Sequence, residues 1–246
     1  MWDAGPNWSV LTLWSLCRLS GGSVRRAVYC LHILKHVQGD GDGWVVSDSG
    51  VHYWGRYGAA GLLLRAPRPD GTPAVLLQHR ALWSHQGGTW GLLGGARDSY
   101  ETPEETAVRE AREEAGLTAE RFAVRATVVT AEISALRDSM WTYTTVVADA
   151  RELLPTVPNQ ESVELRWIAE FEVADLPLHP GLAASWQRLR TTPVIVPLDH
   201  GHQCWQGLPR TMEIETGVFV WCMPGDSGQA LSQLSHRISS LLSAST

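Results

Sequence analysis

Residues 102 to 117 spell out a helix with both of its ends written into the sequence, and that helix carries an unusual load of acid. Thr102 suits the N-cap, Pro103 the first helical position, and Glu105 completes a capping box with Thr102. Gly116 suits the left-handed residue just past the end. The expectation is a helix from Pro103 to Ala115, with Ala107, Val108, Ala111 and Ala115 as its buried stripe and small enough in places to lie close on a sheet. Glu110, Glu113 and Glu114 fall at i, i+3 and i+4, which puts their Cβ atoms roughly 5–6 Å apart on one face. Like charges at this spacing destabilise an isolated helix by a few tenths of a kcal/mol per pair. Arg109 and Arg112 offset part of that repulsion. A hard divalent cation offsets it better, because Mg²⁺ prefers oxygen ligands and keeps waters for a phosphate-bearing substrate.

Three glutamates on a helix are, by themselves, usually a solvated face. What weighs against that reading is the spacing upstream. Gly95 lies where an apolar run ends and the chain must loop back over the helix, and a residue without a side chain lets the backbone carbonyl approach a cation. Glu101 stands within reach of an arginine that would fix the loop.

Around this helix the pattern alternates between strands and turns. Ala59–Arg65 and Val75–His79 read as strands across the turn Pro67-Arg-Pro-Asp-Gly-Thr-Pro73. Trp90–Leu93 reads as a third short run. Ala123–Glu132, Met140–Ala148, Val163–Ile168 and Thr211–Trp221 are further strands, and Leu182–Leu189 is a second helix after His179-Pro-Gly181. Several strands with two helices spaced to cover a sheet give an α/β sandwich. The 246 residues are expected to divide into an N-terminal extension over 1–40, one domain over 41–225 and a Ser-rich disordered tail over 226–246. The extension carries a loose apolar stripe (Val28, Leu31, Ile33, Leu34, Val37), and Gly39-Asp-Gly-Asp-Gly43 reads as a hinge after it. His32 and His36 share a helical face there but lack an acidic or cysteine partner for a metal.

Composition excludes more than it identifies. The net charge of -6 and the absence of a dense basic stripe argue against nucleic-acid binding. No apolar run reaches the ~18 residues of a membrane span, and the apolar N-terminal stretch has no basic residue before it. Cys17, Cys30, Cys204 and Cys222 form no CxxC pair, so reduced thiols in a cytoplasm are the simplest expectation.

The segment from Gly95 to Leu117 resembles the Nudix box, G-x5-E-x7-R-E-U-x-E-E-x-G-U with U aliphatic. Every position is filled, Ala111 being the small residue at the first U. The resemblance implies a Nudix-type α/β fold, a mixed β-sheet sandwiched between helices, and metal-dependent hydrolysis of a phosphoric anhydride. It implies Glu110 and Glu114 as the main metal ligands, Glu113 as an additional one, the Gly95 carbonyl as a further oxygen, Arg109 orienting the glutamates and Glu101 supporting the loop. Mg²⁺ is the implied cofactor, with Mn²⁺ as an alternative. Where the family usually has proline before its Gly-Gly pair this chain has Leu93, which is expected to loosen the loop modestly.

From about Gly39 to Gly225 the chain also resembles MutT-type members from actinobacteria, through Asp42-Gly-Trp-Val-Val, Tyr53-Trp-Gly-Arg-Tyr-Gly-Ala-Ala-Gly-Leu-Leu-Leu, Leu176-Pro-Leu-His-Pro and Val218-Phe-Val-Trp. That implies cleavage of a small nucleotide, 8-oxo-dGTP, to 8-oxo-dGMP and pyrophosphate, which cleans the nucleotide pool. Relatives often carry a glutamate six residues before a tryptophan. Glu161 has that spacing to Trp167 and is weighed over Glu164 as general base or second metal ligand, while Trp167 reads as core. Arg65, Arg80 and Arg97 are candidates to clamp phosphate, Arg80 foremost because it ends a strand before the loop Ala81–Gly88. Trp83, Gln86 and Asn159 are candidates for base contacts. The alternatives are a pyrophosphatase for ADP-ribose or another nucleoside-diphosphate-linked compound, and a nucleotide-binding module without turnover. Residue patterns do not reveal the oligomeric state.

Overall fold

A computed structural model describes residues 39–135, 139–197 and 209–225. The expected extension over 1–40, except its last two residues, and the expected tail over 226–246 lie outside the described residues, as do Cys17, Cys30, Cys204, His32 and His36.

The described chain opens with a hairpin of two three-residue strands, β1 (Trp44–Val46) and β2 (His52–Trp54). The main sheet follows: β3 (Ala59–Pro67), β4 (Pro73–Arg80), β5 (Trp90–Gly91), β6 (Leu93–Ala96), the helix α1 (Pro103–Ala115), β7 (Phe122–Ala135), β8 (Ser139–Ala150) and β9 (Ser162–Ala169). Then come α2 (Pro180–Leu189), β10 (Thr192–Pro197), β11 (Arg210–Glu215) and β12 (Val218–Gly225).

β3 organises the seven-stranded sheet. It runs parallel to β8 along one edge, and along the other it pairs antiparallel first with β6 (Ala59–Leu62 against Ala96–Leu93) and then with β4 (Arg65–Pro67 against Val75–Pro73). β9 and β5 extend β4, and β7 closes the far edge beside β8. β6 and β4 therefore diverge from one strand, and a gap opens between them on the side where α1 lies.

Both faces of β3 are covered, so its sequence is apolar almost throughout rather than alternating. Ala60, Leu62, Leu64 and Ala66 pack with Ala107, Ala111 and Ala115 of α1. Leu63, on the opposite face, packs with Leu182, Trp186 and Leu189 of α2. The period of two along β3 thus divides one core into two layers, a mixed sheet between helices as the sequence led us to expect.

α1 has the predicted bounds and caps. Thr102 accepts from the Glu105 N–H at 3.2 Å, Glu105 accepts from the Thr102 N–H at 2.7 Å, and Gly116 sits at φ 68°. Thr102→Ala is expected to cost about 1 kcal/mol of unfolding free energy, read in a urea melt. The buried stripe is rotated from the predicted one: Val108 is only half-buried, and Thr106 and Glu114 are buried instead.

Three expectations are corrected. Trp90–Leu93 is two strands, because Trp90 and Gly91 pair with β4 while Leu93 to Ala96 cross to β3. Thr211–Trp221 is a hairpin turning at Gly217, whose φ is 77°. Gly39–Gly43 is no hinge: the Gly41 N–H donates to the Asp98 carboxylate at 2.7 Å, and the Gly41 carbonyl accepts from the Arg56 N–H at 2.8 Å. Leu93, where the family's proline would stand, is fully buried and paired with Leu62, so its side chain anchors the loop from below. No helix among the described residues is long and apolar enough to cross a membrane.

Candidate active site

The gap between β4 and β6 opens into a cavity of about 650 Å³. One wall is the acidic face of α1, with Glu110, Glu113 and Glu114. Gly94 and Gly95 of β6 form the floor, and Glu161 and Asn159 from the segment before β9 stand opposite.

Glu114 is buried at 3% exposure and held by two donors. The Gly94 N–H donates to it at 2.8 Å and the Gln78 amide at 3.0 Å. Gln78 is oriented in turn by Arg80, which donates to its Oε1 at 3.2 Å. Glu110 accepts from Arg109 at 2.7 Å. Arg109 also forms a two-pronged pair with Glu101, at 2.7 and 3.0 Å, and donates to the Ala96 carbonyl at 2.9 Å. One guanidinium thus ties the loop, β6 and the helix together. Glu113 lies farther out, 3.6 Å from Arg109 and half exposed. Arg112, expected to share in neutralising the glutamates, points to solvent.

Glu161 reaches the cavity because its segment is tied to the end of α1. The Val157 N–H donates to the Ala115 carbonyl, the Asn159 N–H to the Glu114 carbonyl, and Asn159 Oδ1 accepts from the Glu161 N–H at 2.9 Å. Glu164 faces away, 3.9 Å from His79 on the exposed sheet surface. Trp167 packs against the core and donates to the Leu154 carbonyl.

The other candidates separate cleanly. Arg80 lines the cavity, with its Nε on the His85 carbonyl at 3.0 Å. The Arg97 guanidinium is committed to the carbonyls of Tyr57 and Glu101, where it straps the loop, and Arg65 is fully buried against Glu170 on the α2 side of the sheet. Trp83 lines the cavity; Gln86 does not, and lies exposed at φ 56° in the loop after β4. Residue patterns missed a whole wall: Trp44 and Trp54 of the hairpin, with Tyr100 and His85, line the cavity too.

The electrostatics follow from crowding. Burial raises the Glu114 carboxyl above its ordinary value, and the charges of Glu110 and Glu161 raise it further. Burial likewise raises Glu110, opposed by Arg109 and reinforced by Glu113 and Glu161. Glu101 is instead lowered, chiefly by its bonds to Arg109. A site that pushes carboxylates upward together is short of positive charge.

Among the described residues, no three acidic, histidine or cysteine side chains are drawn into a finished ligand cage. The donor set nonetheless suits a hard cation, since it consists of carboxylate oxygens. The Gly95 carbonyl, expected beside them, turns instead toward its ladder partner Ala60 of β3, because the neighbouring Gly94 N–H is the one that faces Glu114. Gly95 adds a steric argument: a Cβ there would fall 2.3 Å from Glu110 Oε1, so this carboxylate can sit against β6 only over a glycine.

A stability consequence follows. A carboxyl raised in the folded chain favours folding at pH below its unfolded value of about 4.5 and loses that contribution as pH climbs through the raised value. The metal-free protein is expected to melt at lower temperature at about pH 8 than at about pH 5.5. Mg²⁺ is expected to restore more at the higher pH, as read by calorimetry with and without chelator.

Comparison with known proteins shows what the chain is similar to. Residues 56–189 match the NUDIX domain. The chain is 77% identical over 208 residues to a Mycobacterium tuberculosis protein provisionally named 8-oxo-dGTP diphosphatase 3, covering 85% of this chain and 96% of that one. It is 36% identical over 162 residues to the nucleoside triphosphate pyrophosphatase/Nudix hydrolase fusion protein of Bifidobacterium longum, covering 63% of this chain and 32% of that one. Among solved structures, the Nudix hydrolase RenU from M. smegmatis is 70% identical with a TM-score of 0.59, covering 61% of this chain and 92% of that one.

Proposed function

The chain belongs to the Nudix family, and from that premise we propose that it hydrolyses a nucleoside triphosphate to the monophosphate and pyrophosphate, with 8-oxo-dGTP its preferred substrate. The observation that carries the proposal is the meeting of Glu110, Glu113, Glu114 and Glu161 in one cavity over Gly95. The preference for 8-oxo-dGTP is supported by the name of the M. tuberculosis relative.

Glu110 and Glu114, with Glu113, are the groups that would hold the divalent cation, Mg²⁺ or Mn²⁺. When bound, that cation supplies charge neutralisation at the phosphate oxygens. Arg109 holds Glu110 in place, and Glu101 holds Arg109. Arg80 presents its guanidinium to phosphate at the mouth of the gap. Glu161, opposite the helix, accepts the proton of the attacking water. Asn159 fixes the backbone of Glu161, which limits where that carboxylate can swing.

The test is product analysis of 8-oxo-dGTP, dGTP and ADP-ribose, each with Mg²⁺ and with chelator. Mg²⁺-dependent release of 8-oxo-dGMP and pyrophosphate, faster than dGMP from dGTP, is expected. Turnover of ADP-ribose alone would retain the family chemistry and overturn the substrate. Nucleotide binding without turnover of any of the three would overturn the hydrolytic reading in favour of a binding module.

A further inference from the structure

The wall of the cavity away from the carboxylates has a different character. Trp44 and Trp54 are cross-strand partners in the β1–β2 hairpin, their rings 5.0 Å apart and edge-on at 72°. Trp44 also meets the His85 ring at 5.5 Å. Both indoles are half-buried and line the same cavity as the glutamates.

Contacts run unbroken from one wall to the other. Glu114 accepts from Gln78, Gln78 accepts from Arg80, Arg80 donates to the His85 carbonyl, and the His85 ring meets Trp44. The order along the cavity is therefore carboxylate, guanidinium, aromatic face. A nucleotide bound for attack on its phosphates presents the complementary order: a phosphate chain, then sugar, then a flat base.

The hairpin is fixed in place. Its entry is pinned to the loop before α1 through Gly41 and Asp98, at 2.7 Å, and through the Ser99 N–H to Asp40, at 2.9 Å. Its exit is held by Trp141, which donates to the Gly55 carbonyl at 2.9 Å. On the face opposite the two indoles, Tyr53 packs on Trp141 with ring centres 4.8 Å apart. An aromatic pair held from behind and lining the cavity, one ring edge-on to the other, is a preorganised surface against which a flat base can stack on one indole and meet the edge of its neighbour.

We propose that Trp44 and Trp54 form the face on which the nucleobase stacks, with Arg80 holding phosphate between that face and the carboxylates. The assignment rests on the nucleotide-hydrolase reading above. Base stacking on an aromatic side chain is sequence-tolerant, so these residues set affinity for the base as a class.

The experiment compares Trp44→Ala, Trp54→Ala and Trp54→Phe with the wild type. For 8-oxo-dGTP, KM is expected to rise about tenfold in either alanine variant while kcat changes less than about threefold, and Trp54→Phe is expected to recover most of the loss. By calorimetry, the alanine variants are expected to lose affinity for dGMP and to bind ribose 5-phosphate as the wild type does. If an alanine variant fails to fold, the indole N–H resonances of Trp44 and Trp54 in the wild type serve instead, and both are expected to shift on addition of dGMP. Unchanged KM and dGMP affinity in folded alanine variants, or unmoved indoles, would overturn the proposal while leaving the hydrolase reading intact. Indoles that respond to dGMP in a protein that cleaves no triphosphate would support the stacking face and overturn the hydrolase reading.

Discussion

Glu114→Gln is expected to lower kcat by at least about a hundredfold, since even groups that only support a metal ligand are worth 10–100-fold. The substitution is isosteric, so packing on Ala111 and β6 survives. The local hydrogen bonds do not. Glu114 accepts from two N–H donors, the Gly94 backbone and the Gln78 amide. A glutamine can offer its one oxygen to Gly94, but its amide then faces the Gln78 amide, donor against donor. Gln78 can turn over only by giving up the bond from Arg80. The change is therefore felt at Arg80 as well as at the helix.

Stability is expected to move the other way. Glutamine mimics the neutral form that burial favours at this position, so in chelator near pH 8 the variant is expected to melt no lower than the wild type. The increment in melting temperature conferred by Mg²⁺ is expected to shrink. Rates from purified protein, paired with calorimetry, read both effects. A loss below about tenfold in kcat with unchanged Mg²⁺ dependence would remove Glu114 from the proposed chemistry.

Much of this site was legible because its determinants are local. Thr102, Pro103, Glu105 and Gly116 fix the ends of α1 within one stretch of chain, and the ends fix which face the three glutamates share. Gly95 and Glu101 lie close enough upstream that Arg109 reaches Glu101 directly and the strand beneath through the Ala96 carbonyl. Glu161 was legible through its spacing to Trp167.

The aromatic wall was not legible, and the reason is range. β1 and β2 have three residues each and sit among glycines, so the local pattern looks like linker. What places them at the site is Asp98, whose carboxylate receives the Gly41 N–H from 57 positions away. The arginines failed for the opposite reason. Arg65, Arg80 and Arg97 look alike in sequence, and only tertiary placement distinguishes a guanidinium that lines the cavity from one that straps a loop or is sealed in the core. The hairpin of β11 and β12 looked like one strand because its turn offers a single glycine.

Arg65 carries the largest stability effect we expect. It is fully buried in the layer under α2, where Glu170 at 6% exposure meets it at 2.9 Å. Glu170 also accepts from the Thr191 N–H at 2.6 Å and its hydroxyl at 2.8 Å, and Arg65 donates to the Leu189 carbonyl. This one ion pair links β3, the turn after β9, the end of α2 and the approach to β10. Among the described residues Arg65 Nη1 has no partner, so the other two guanidinium nitrogens carry all of these bonds. Glu170→Ala would strand a buried positive charge and two Thr191 donors, a loss of about 3–5 kcal/mol. For a domain of this size that corresponds to a fall in Tm on the order of 10 °C. Replacing both partners by methionine removes the charge along with its partner and is expected to recover most of the loss. Because the pair lies across the sheet from Glu114, kcat of the Glu170→Ala protein well below its Tm is expected to stay within about threefold of wild type. Denaturant melts of Glu170→Ala and of the double methionine variant decide the matter. A double variant as unstable as Glu170→Ala would mean that lost packing, rather than the stranded charge, sets the cost.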